Sequence, residues 1–304
     1  MKEECRLKGH QAAAGRRERM EALDVVLLIV VTLWALLIIV PVYNVVVISL
    51  TPQKAYLDHP VLLFPQNVTL KNYADLFEDG RIFTGYRNTL LILACGLPLN
   101  LLLTTSFAYG TSRGNYPGRR LLFMMVLFTM IFNGGIIPMY LIMKQMKLTN
   151  TVWSVVLAYG INTFYMIIMR NYFSTLPESL MESAKLDGAG EWRTLISIVL
   201  PLSLPIMATI TLFYAVDRWN EWYNAMIFIQ RSGLQPLQLV LRAIVIESQV
   251  LDSYASADAL IDAQKFSMGL KSSAVVVTML PVMCVFPFLQ KHFVKGVMVG
   301  AIKA

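Results

Sequence analysis

Long apolar stretches constrain the fold of this sequence more than any other feature. A helix that rises about 1.5 Å per residue needs roughly 20 apolar residues to cross a bilayer. Stretches of about this length occur six times, at Val25–Leu50, Thr89–Tyr109, Leu121–Met143, Val152–Met169, Leu200–Val216 and Ser272–Phe293. The fourth and fifth are short and interrupted. The sequence therefore predicts an all-α, polytopic membrane protein with six transmembrane helices.

The composition of the chain supports a membrane environment. Of its 304 residues, 56% are apolar and 15% are charged, whereas soluble domains are about 25% charged. A single soluble core stops growing near about 250–300 residues, so a chain this apolar needs the bilayer as its solvent. The net charge of +7 comes without the basic stripe and interleaved aromatic residues of a nucleic-acid-binding surface. The composition argues against a soluble protein and against a nucleic-acid-binding one.

The distribution of basic residues predicts the orientation in the membrane. The segment Thr111–Arg120, between the second and third stretches, carries three arginines and no acid. Short loops rich in Lys and Arg stay on the cytoplasmic side, so both termini are expected to be cytoplasmic. The expected organisation is a cytoplasmic tail over residues 1–23, a transmembrane domain over residues 24–294, and a cytoplasmic tail over residues 295–304.

The segment between the fourth and fifth stretches predicts a short helix on the cytoplasmic side. Thr175 and Glu178 have the spacing of a capping box, and Pro177 fits a first helical turn. An apolar stripe at helical spacing consists of Leu176, Leu180, Met181 and Ala184. Gly188 is expected to end the helix in the left-handed conformation. A second helical stretch is expected to begin near Glu191.

Physical reasoning alone leaves two interpretations of this short helix. An amphipathic helix can lie flat on the lipid surface, where Trp, Phe and many lysines anchor it. The stripe here is narrow and lacks those anchors. The small Ser183 and Ala184 suit a helix that fits a groove in a soluble partner, so the second interpretation is favoured.

The same loop carries a resemblance to a known family. Glu182-Ser183-Ala184, Asp187-Gly188-Ala189 and then Ile198, Leu200-Pro201-Leu202 and Pro205 resemble the EAA loop of ABC-importer permeases, with Ser183 in place of the commoner alanine. Further matches to the carbohydrate-uptake class of these permeases lie at Asn88-Thr89-Leu90, Ala108-Tyr109, Arg113, Pro117-Gly118-Arg119, 133–140 and 287–300. Within that class the chain is most similar to the maltose-type second permease and to the branch for complex oligosaccharides. The resemblance covers nearly the whole chain from the first apolar stretch.

The resemblance implies a permease subunit of a binding-protein-dependent ABC importer, located in the bacterial plasma (inner) membrane as a multi-pass protein. Such an importer contains a second permease that forms a heterodimer with this one, two ABC ATPase subunits and an extracytoplasmic solute-binding protein. The EAA loop, at about residues 172–199 here, couples the permease to the ATPase. The residues implied in this coupling are Glu182, Ser183, Ala184, Asp187, Gly188 and Ala189. Glu182 is expected to pair with a basic residue of the ATPase.

The energy for transport is expected to come from the partner ATPase, which would bind ATP and Mg. The sequence contains no Gly-x-x-x-x-Gly-Lys-Ser/Thr phosphate loop, so neither a cofactor nor a catalytic or metal site is expected in this chain. Polar and aromatic residues within the apolar stretches are candidates for the translocation path of a sugar: Asn133, Tyr159, Asn162, Tyr165 and Tyr214. Such residues also serve as hydrogen-bonding groups between helices, and that alternative stays open.

Two other functions also stay open. The EAA loop permits an ABC permease for a solute other than a sugar. A secondary transporter that works without ATP is the second alternative. Few ionisable residues lie within the apolar stretches, which argues against a proton-coupled transporter because such proteins use intramembrane Asp, Glu and His residues.

Overall fold

The computed structural model describes residues 22–58, 64–65, 67–78, 80–113, 117–254 and 267–301. Residues 1–21 of the predicted N-terminal tail and residues 302–304 of the predicted C-terminal tail lie outside the described residues, whereas residues 295–301 belong to the last helix. The described part is helical and contains no strand. Its α-helices are α1 (Ala22–Ser49), α2 (Gln53–Asp58), α3 (Lys71–Glu78), α4 (Arg81–Ser112), α5 (Arg119–Ile131), α6 (Ile136–Gln145), α7 (Val152–Ala158), α8 (Thr163–Ser174), α9 (Glu178–Leu186), α10 (Glu191–Leu202), α11 (Leu204–Trp219), α12 (Tyr223–Phe228), α13 (Leu237–Tyr254) and α14 (Ser267–Ala301). Within α10, a π-helical turn occupies Leu195–Val199.

The candidate membrane spans fall on the predicted apolar stretches. Among the described residues, three helices are long and apolar enough to cross a membrane alone: α1, α4 and the Met268–Val285 part of α14. Three bent pairs qualify if each pair forms one span, namely α5 with α6, α7 with α8, and α10 with α11. The prediction of an all-α polytopic membrane protein is confirmed, with three to six candidate spans in the described part of the chain.

The third predicted stretch is not one continuous helix. Helix α5 ends at Ile131 and α6 begins at Ile136, and the two axes meet at 113°. Between them, Gly135 has φ of 91°, a conformation that glycine adopts at little cost. The N–H of Gly135 donates to Asn133 Oδ1 at 2.9 Å. The span predicted over Leu121–Met143 is therefore a bent pair of helices and not one continuous helix, because the Asn-Gly-Gly sequence favours a turn at this point.

The fourth and fifth predicted stretches are interrupted, as the sequence suggests. Helices α7 and α8 meet at 54°, and α10 and α11 meet at 87°. Asn162 caps the start of α8, since its Oδ1 accepts hydrogen bonds from the N–H groups of Phe164 and Tyr165 at 3.0 and 3.4 Å. Helix α11 begins with Leu204 and Pro205, and a proline fits a first turn because its missing N–H is not needed there.

Helix α4 is the central helix of the described fold. It packs against α7, α8, α11 and α13. One buried apolar cluster joins α4, α8, α9, α10 and α11 and consists of Ala108, Tyr109, Met166, Met169, Phe173, Met181, Leu195, Val199, Ile210 and Tyr214. Because Met181 belongs to α9, the predicted coupling helix shares a core with the candidate spans.

Helix α1 lies at the edge of the fold and leaves its apolar surface uncovered. Its large apolar side chains between Val25 and Val40 are all exposed. Extended exposed apolar surfaces mark contacts with a membrane or with another protein. This surface therefore needs lipid or a second subunit against it.

Candidate coupling loop and solute cavity

The candidate coupling loop consists of α9 and the turn that follows it. After α9 ends at Leu186, Gly188 takes φ of 74°. The N–H of Gly188 donates to the Lys185 carbonyl at 3.0 Å, and the N–H of Ala189 donates to the Ala184 carbonyl at 2.9 Å. These are the two bonds of a Schellman motif, which satisfies the last carbonyls of a helix. The predicted left-handed end at Gly188 is confirmed.

The start of α9 differs from the prediction. Thr175 is the C-cap of α8, and its hydroxyl donates to the Tyr172 carbonyl at 2.7 Å. Pro177 precedes Glu178, the first residue of α9, and provides no side-chain cap. The predicted capping box is therefore wrong. Helix α8 runs on to Ser174, so Thr175 belongs to the end of one helix and not to the start of the next.

Helix α9 has one buried face and one exposed face. Met181 and Ala184 are buried, with 7% and 6% of their surface exposed. Leu180 is 42% exposed and Leu186 is 89% exposed, so the apolar stripe is divided between the core and the surface. The small size of Ala184 allows α9 to pack closely on the rest of the chain.

The residues predicted to couple to an ATPase lie together but face different ways. Four of them are exposed, namely Glu182, Ser183, Asp187 and Gly188. Ala189 is half-buried and Ala184 is buried. The exposed four form the outer surface of the loop, where a partner could reach them. Their contact with an ATPase stays a prediction.

Glu191 also belongs to this loop, although sequence reasoning placed only the start of a helix there. The Tyr109 hydroxyl donates to Glu191 Oε2 at 2.6 Å. On the other carboxylate oxygen, Lys185 Nζ lies 3.0 Å from Oε1. The sequence signal at this position is an acid in a first helical turn, which ordinarily means only a favourable interaction with the helix dipole. Long-range packing brings Tyr109 to it.

A second candidate site is a cavity of about 250 Å³ beside the break between α7 and α8. Its lining combines aromatic, amide and charged side chains from the break, from the end of α11 and from the segment after α11: Tyr159, Asn162, Tyr214, Asp217, Arg218, Glu221 and Asn224. Tyr159 is 51% exposed. Aromatic faces and carboxylate or amide groups are the groups that can stack on a sugar ring and hydrogen-bond its hydroxyls.

Arg218 holds the broken helix together at one wall of this cavity. It is only 3% exposed. Its guanidinium donates to the carbonyls of Val155, Val156 and Tyr159 at 2.9 to 3.0 Å, and its Nε donates to Asn100 Oδ1 at 3.1 Å. Those carbonyls form the end of α7, where a cation is favoured by the helix dipole. The guanidinium is thus occupied by the protein itself.

Two neighbours of Arg218 complete this arrangement. The amide of Asn100 donates to the carbonyls of Tyr159 and Gly160 at 2.9 and 2.8 Å. A Cβ placed on Gly96 would lie 3.2 Å from Arg218 Nε, so the glycine leaves room for the guanidinium. Arg218 and Asn100 together thus supply donors to the carbonyls of Val155, Val156, Tyr159 and Gly160, as an interruption within a membrane span requires.

The predicted path residues Asn162 and Tyr214 line the cavity but also bind the helices. Asn162 caps α8 through its side chain, and its N–H donates to the Tyr214 hydroxyl at 2.9 Å. The same hydroxyl lies 2.7 Å from Thr104 Oγ1. Tyr214 is 2% exposed. The hydrogen bonds of Asn162 and Tyr214 therefore fit the alternative in which such residues hold helices together.

The other predicted path residues divide between the cavity and the turn that joins α5 to α6. Tyr159 lies in the cavity lining. Tyr165 lies next to it, since its hydroxyl donates to Asp217 Oδ2 at 2.9 Å and its ring meets that of Tyr214 edge-on at 5.0 Å. Asn133 instead forms the turn between α5 and α6 and is not part of the lining. The structure thus brings four of the five predicted residues together.

Sequence reasoning missed the charged part of the cavity. The fifth predicted stretch ends at Val216, so the residues after it are predicted to lie in a loop. These residues include Asp217, Arg218, Glu221 and Asn224. Helix α11 continues to Trp219, and Glu221 accepts hydrogen bonds from Asn224 at 3.0 Å. The available signal was an Asp-Arg pair at the end of an apolar run. Within the described residues, no group of three or more His, Cys, Asp or Glu side chains could hold a metal ion.

Comparisons with known sequences point to one family. A model for the binding-protein-dependent transport system inner membrane component matches residues 87–299. Protein LplC from Bacillus subtilis is 36% identical over 265 residues, which cover 87% of this chain and 89% of LplC. The polygalacturonan/rhamnogalacturonan transport system permease protein YtcP, also from Bacillus subtilis, is 35% identical over 278 residues, which cover 89% of this chain and 94% of YtcP.

A solved structure has the same fold. It is a chain of a bacterial ABC transporter involved in the import of the acidic polysaccharide alginate, with a TM-score of 0.82 and 28% sequence identity. The superposition covers 92% of this chain and 98% of that chain. Since the family model also matches well over half of the sequence, this chain belongs to the family of binding-protein-dependent transport system inner membrane components.

Proposed function

We propose that this chain is a transmembrane permease subunit of an ATP-driven importer that moves a carbohydrate, in particular an oligosaccharide, into the cell. Its family consists of inner membrane components of binding-protein-dependent transport systems. YtcP is named for transport of polygalacturonan and rhamnogalacturonan, and the solved transporter imports alginate. The substrates named for these relatives are polysaccharides, which supports a carbohydrate here over a solute of another kind.

The proposed assembly contains a second permease, two ATPase subunits that bind ATP and Mg, and an extracytoplasmic solute-binding protein. The uncovered apolar surface of α1 supports burial in lipid and against a second membrane subunit. We place this chain in the bacterial plasma membrane with six spans and both termini in the cytoplasm. The arginine-rich Thr111–Arg120 segment supports this orientation through the positive-inside rule.

The single observation that carries the proposal is the position of α8. Asn162, which caps the first turn of α8, lines the cavity. Thr175, which ends α8, leads directly into the coupling loop. A helix of 12 residues is about 18 Å long, so one rigid element connects the two candidate sites. A movement of the loop is thereby transmitted to the cavity.

In this mechanism the exposed surface of α9 docks on the ATPase. Glu182 pairs with a basic residue of the ATPase, and Ser183, Asp187 and Gly188 allow close approach. ATP binding and hydrolysis move the docked loop, and the attached helices tilt as rigid bodies between two arrangements, one open to each side of the membrane. The sugar passes the cavity, where the Tyr159 ring stacks on it and the carboxylates of Asp217 and Glu221 accept its hydroxyl hydrogens.

Reconstitution into proteoliposomes tests the proposal. The chain is purified with the second permease, the ATPase and the binding protein encoded beside it, and radiolabelled oligosaccharides are offered. Uptake is expected only with both ATP and the binding protein. Uptake by the chain alone, without ATP, would identify a secondary transporter instead. Uptake of an amino acid or phosphate ester, with no sugar accepted by the binding protein, would identify a permease for another solute.

A further inference from the structure

We infer that Glu191 is a positioning residue, which ties the coupling helix α9 to the end of α4 and so transmits movement of the loop into the membrane part of the protein. The inference rests on the proposed function and adds to it a connection that the chain's covalent path does not supply. Along the chain, α9 connects only to α8 before it and, through the turn at Gly188, to α10 after it. Glu191 adds a lateral connection to α4.

Tyr109 is the fixed end of this connection. Only 9% of its surface is exposed, and its ring lies in the buried cluster with Met166, Met169 and Met181. The position of its hydroxyl is therefore set by close packing. That hydroxyl lies 2.6 Å from Glu191 Oε2, and a hydrogen bond to an ionised carboxylate at this distance is of the strong, charge-assisted kind.

Lys185 is the moving end. It lies in the last turn of α9, with Nζ 3.0 Å from Glu191 Oε1. The side chains of Lys185 and Glu191 are 59% and 60% exposed, so this ion pair by itself contributes little. The carboxylate thus has a strong bond to the buried core on one oxygen and a weak one to α9 on the other. We expect the tyrosine bond to matter more than the lysine bond.

The end of α4 also holds the end of α8. Arg113 follows the last turn of α4, and its guanidinium donates to the carbonyls of Phe173 and Leu176. Two side chains from one helix end, Tyr109 and Arg113, thus hold the chain on both sides of the coupling helix. When α9 is moved by a partner, α4 is moved with α8 and α10 and does not slide past them.

The test perturbs the hydrogen bond between Tyr109 and Glu191 and keeps the aromatic ring of residue 109 in the core. Tyr109→Phe and Glu191→Gln are compared in the reconstituted transporter with Tyr172→Phe. Tyr172 is a matched control because its hydroxyl, on the neighbouring α8, makes only a long bond of 3.3 Å to the Leu202 carbonyl. The measurement is the number of ATP molecules hydrolysed per oligosaccharide imported, together with the amount of assembled complex.

Tyr109→Phe and Glu191→Gln are expected to assemble normally. Tyr109→Phe is expected to raise the ATP used per sugar by roughly tenfold, the factor that the loss of one charge-assisted bond gives. Glu191→Gln is expected to raise it less, because its amide oxygen can still accept from the Tyr109 hydroxyl but carries no charge. Lys185→Met is expected to raise it by about twofold. The double variant Tyr109→Phe, Glu191→Gln is expected to be no worse than the more affected single variant, because both changes break one connection.

Three results would overturn the inference. The first is a ratio in both single variants equal to that of Tyr172→Phe, and the second is an additive effect in the double variant. The third is failure of Tyr109→Phe to assemble, since Tyr109 would then serve folding and not transmission. In each case a wild-type transporter that needs ATP for sugar uptake leaves the proposed function intact. A wild-type assembly with no ATP-dependent sugar uptake would refute the proposed function itself.

Discussion

The coupling loop and the cavity are built in opposite ways. The loop is a contiguous stretch whose helix, turn and exposed acids all lie between Glu178 and Glu191. The cavity draws Tyr159 and Asn162 from one helix break and the rest of its lining from the end of α11 and the segment after it, more than 50 residues further along the chain. One short stretch of sequence can form a docking surface, because a partner contacts only one exposed face. A cavity needs walls from several elements.

The two regions also use charge differently. The loop exposes Glu182 and Asp187 to the surface, where a partner can reach them. The cavity encloses Arg218, whose four hydrogen bonds are all made inside the protein. Loss of the buried Arg218 charge should therefore damage folding, whereas loss of an exposed charge in the loop should damage only coupling. Four predictions test this difference, in order of decreasing effect.

The largest effect is expected from Arg218→Met. The substitution removes the side-chain donor from the buried carbonyls of Val155 and Val156, and each unsatisfied group costs about 1–3 kcal/mol. The Tyr159 carbonyl keeps its hydrogen bond from Asn100. The assembled complex should fail to accumulate, or should unfold well below the wild-type temperature in a thermal melt of the purified protein. Arg231→Met is the control, since Arg231 is an exposed arginine outside the lining. Equal stability of the two variants would contradict the role of Arg218 as a clamp.

The second effect is expected in the coupling loop, from Gly188→Val. A Cβ has open space at both Gly188 and Gly190, but only Gly188 has a positive φ, 74° against −71°. A left-handed conformation costs an L-residue roughly 1–2 kcal/mol. Gly188→Val should lower sugar uptake per ATP about tenfold, while Gly190→Val should stay near wild type. Equal losses at the two glycines would show that bulk at the docking surface matters and that backbone conformation does not.

A third, smaller effect is expected from Tyr159→Ala in the cavity. The loss of one stacking face should raise the sugar concentration for half-maximal uptake about fivefold, because a ring contact contributes about 1 kcal/mol. Tyr223→Ala is the control, since Tyr223 is similarly exposed at 47% and lies outside the lining. If both variants have the half-saturation value of wild type, sugar does not touch this cavity.

The smallest effect concerns the charge of the sugar. Asp217 and Glu221 line the cavity, while the guanidinium of Arg218 is already occupied. Asp217→Asn should therefore raise uptake of a uronate oligosaccharide relative to a neutral one of the same length, by about threefold, because one nearby like charge is removed. Asp75→Asn, in α3 and outside the lining, is the control. An unchanged ratio, measured in competition between the two labelled sugars, would mean that Asp217 does not face the substrate.

Local chemistry made several features predictable from the sequence. The helix end at Gly188 follows from the conformational freedom of glycine, and the apolar stretches follow from the thickness of a bilayer. Predictions failed where two local signals competed. Thr175 has the spacing of a cap for α9, but it ends α8. The stretch at Leu121–Met143 has the length and apolarity of one span, but its Asn-Gly-Gly sequence forms a turn in which Gly135 has a positive φ.

The predicted path residues show the limit of local reasoning. The sequence predicts Tyr159, Asn162, Tyr165 and Tyr214 as path residues because they are polar or aromatic residues in apolar stretches, and the four lie in or next to one cavity. Asn133 has the same character and lies elsewhere. Residue type alone does not separate the two cases, since the bend between α5 and α6 decides where Asn133 lies.

By itself, the sequence determined the all-α membrane architecture, the interrupted spans and the turn at Gly188, because length, apolarity and glycine act over a few residues. Only the tertiary structure decided that Arg218 closes the end of α7 and that Tyr109 reaches Glu191 across 82 positions of the chain. Such pairs depend on how helices cross and bend. That geometry is set by packing over the whole fold, and no short pattern of residues contains it.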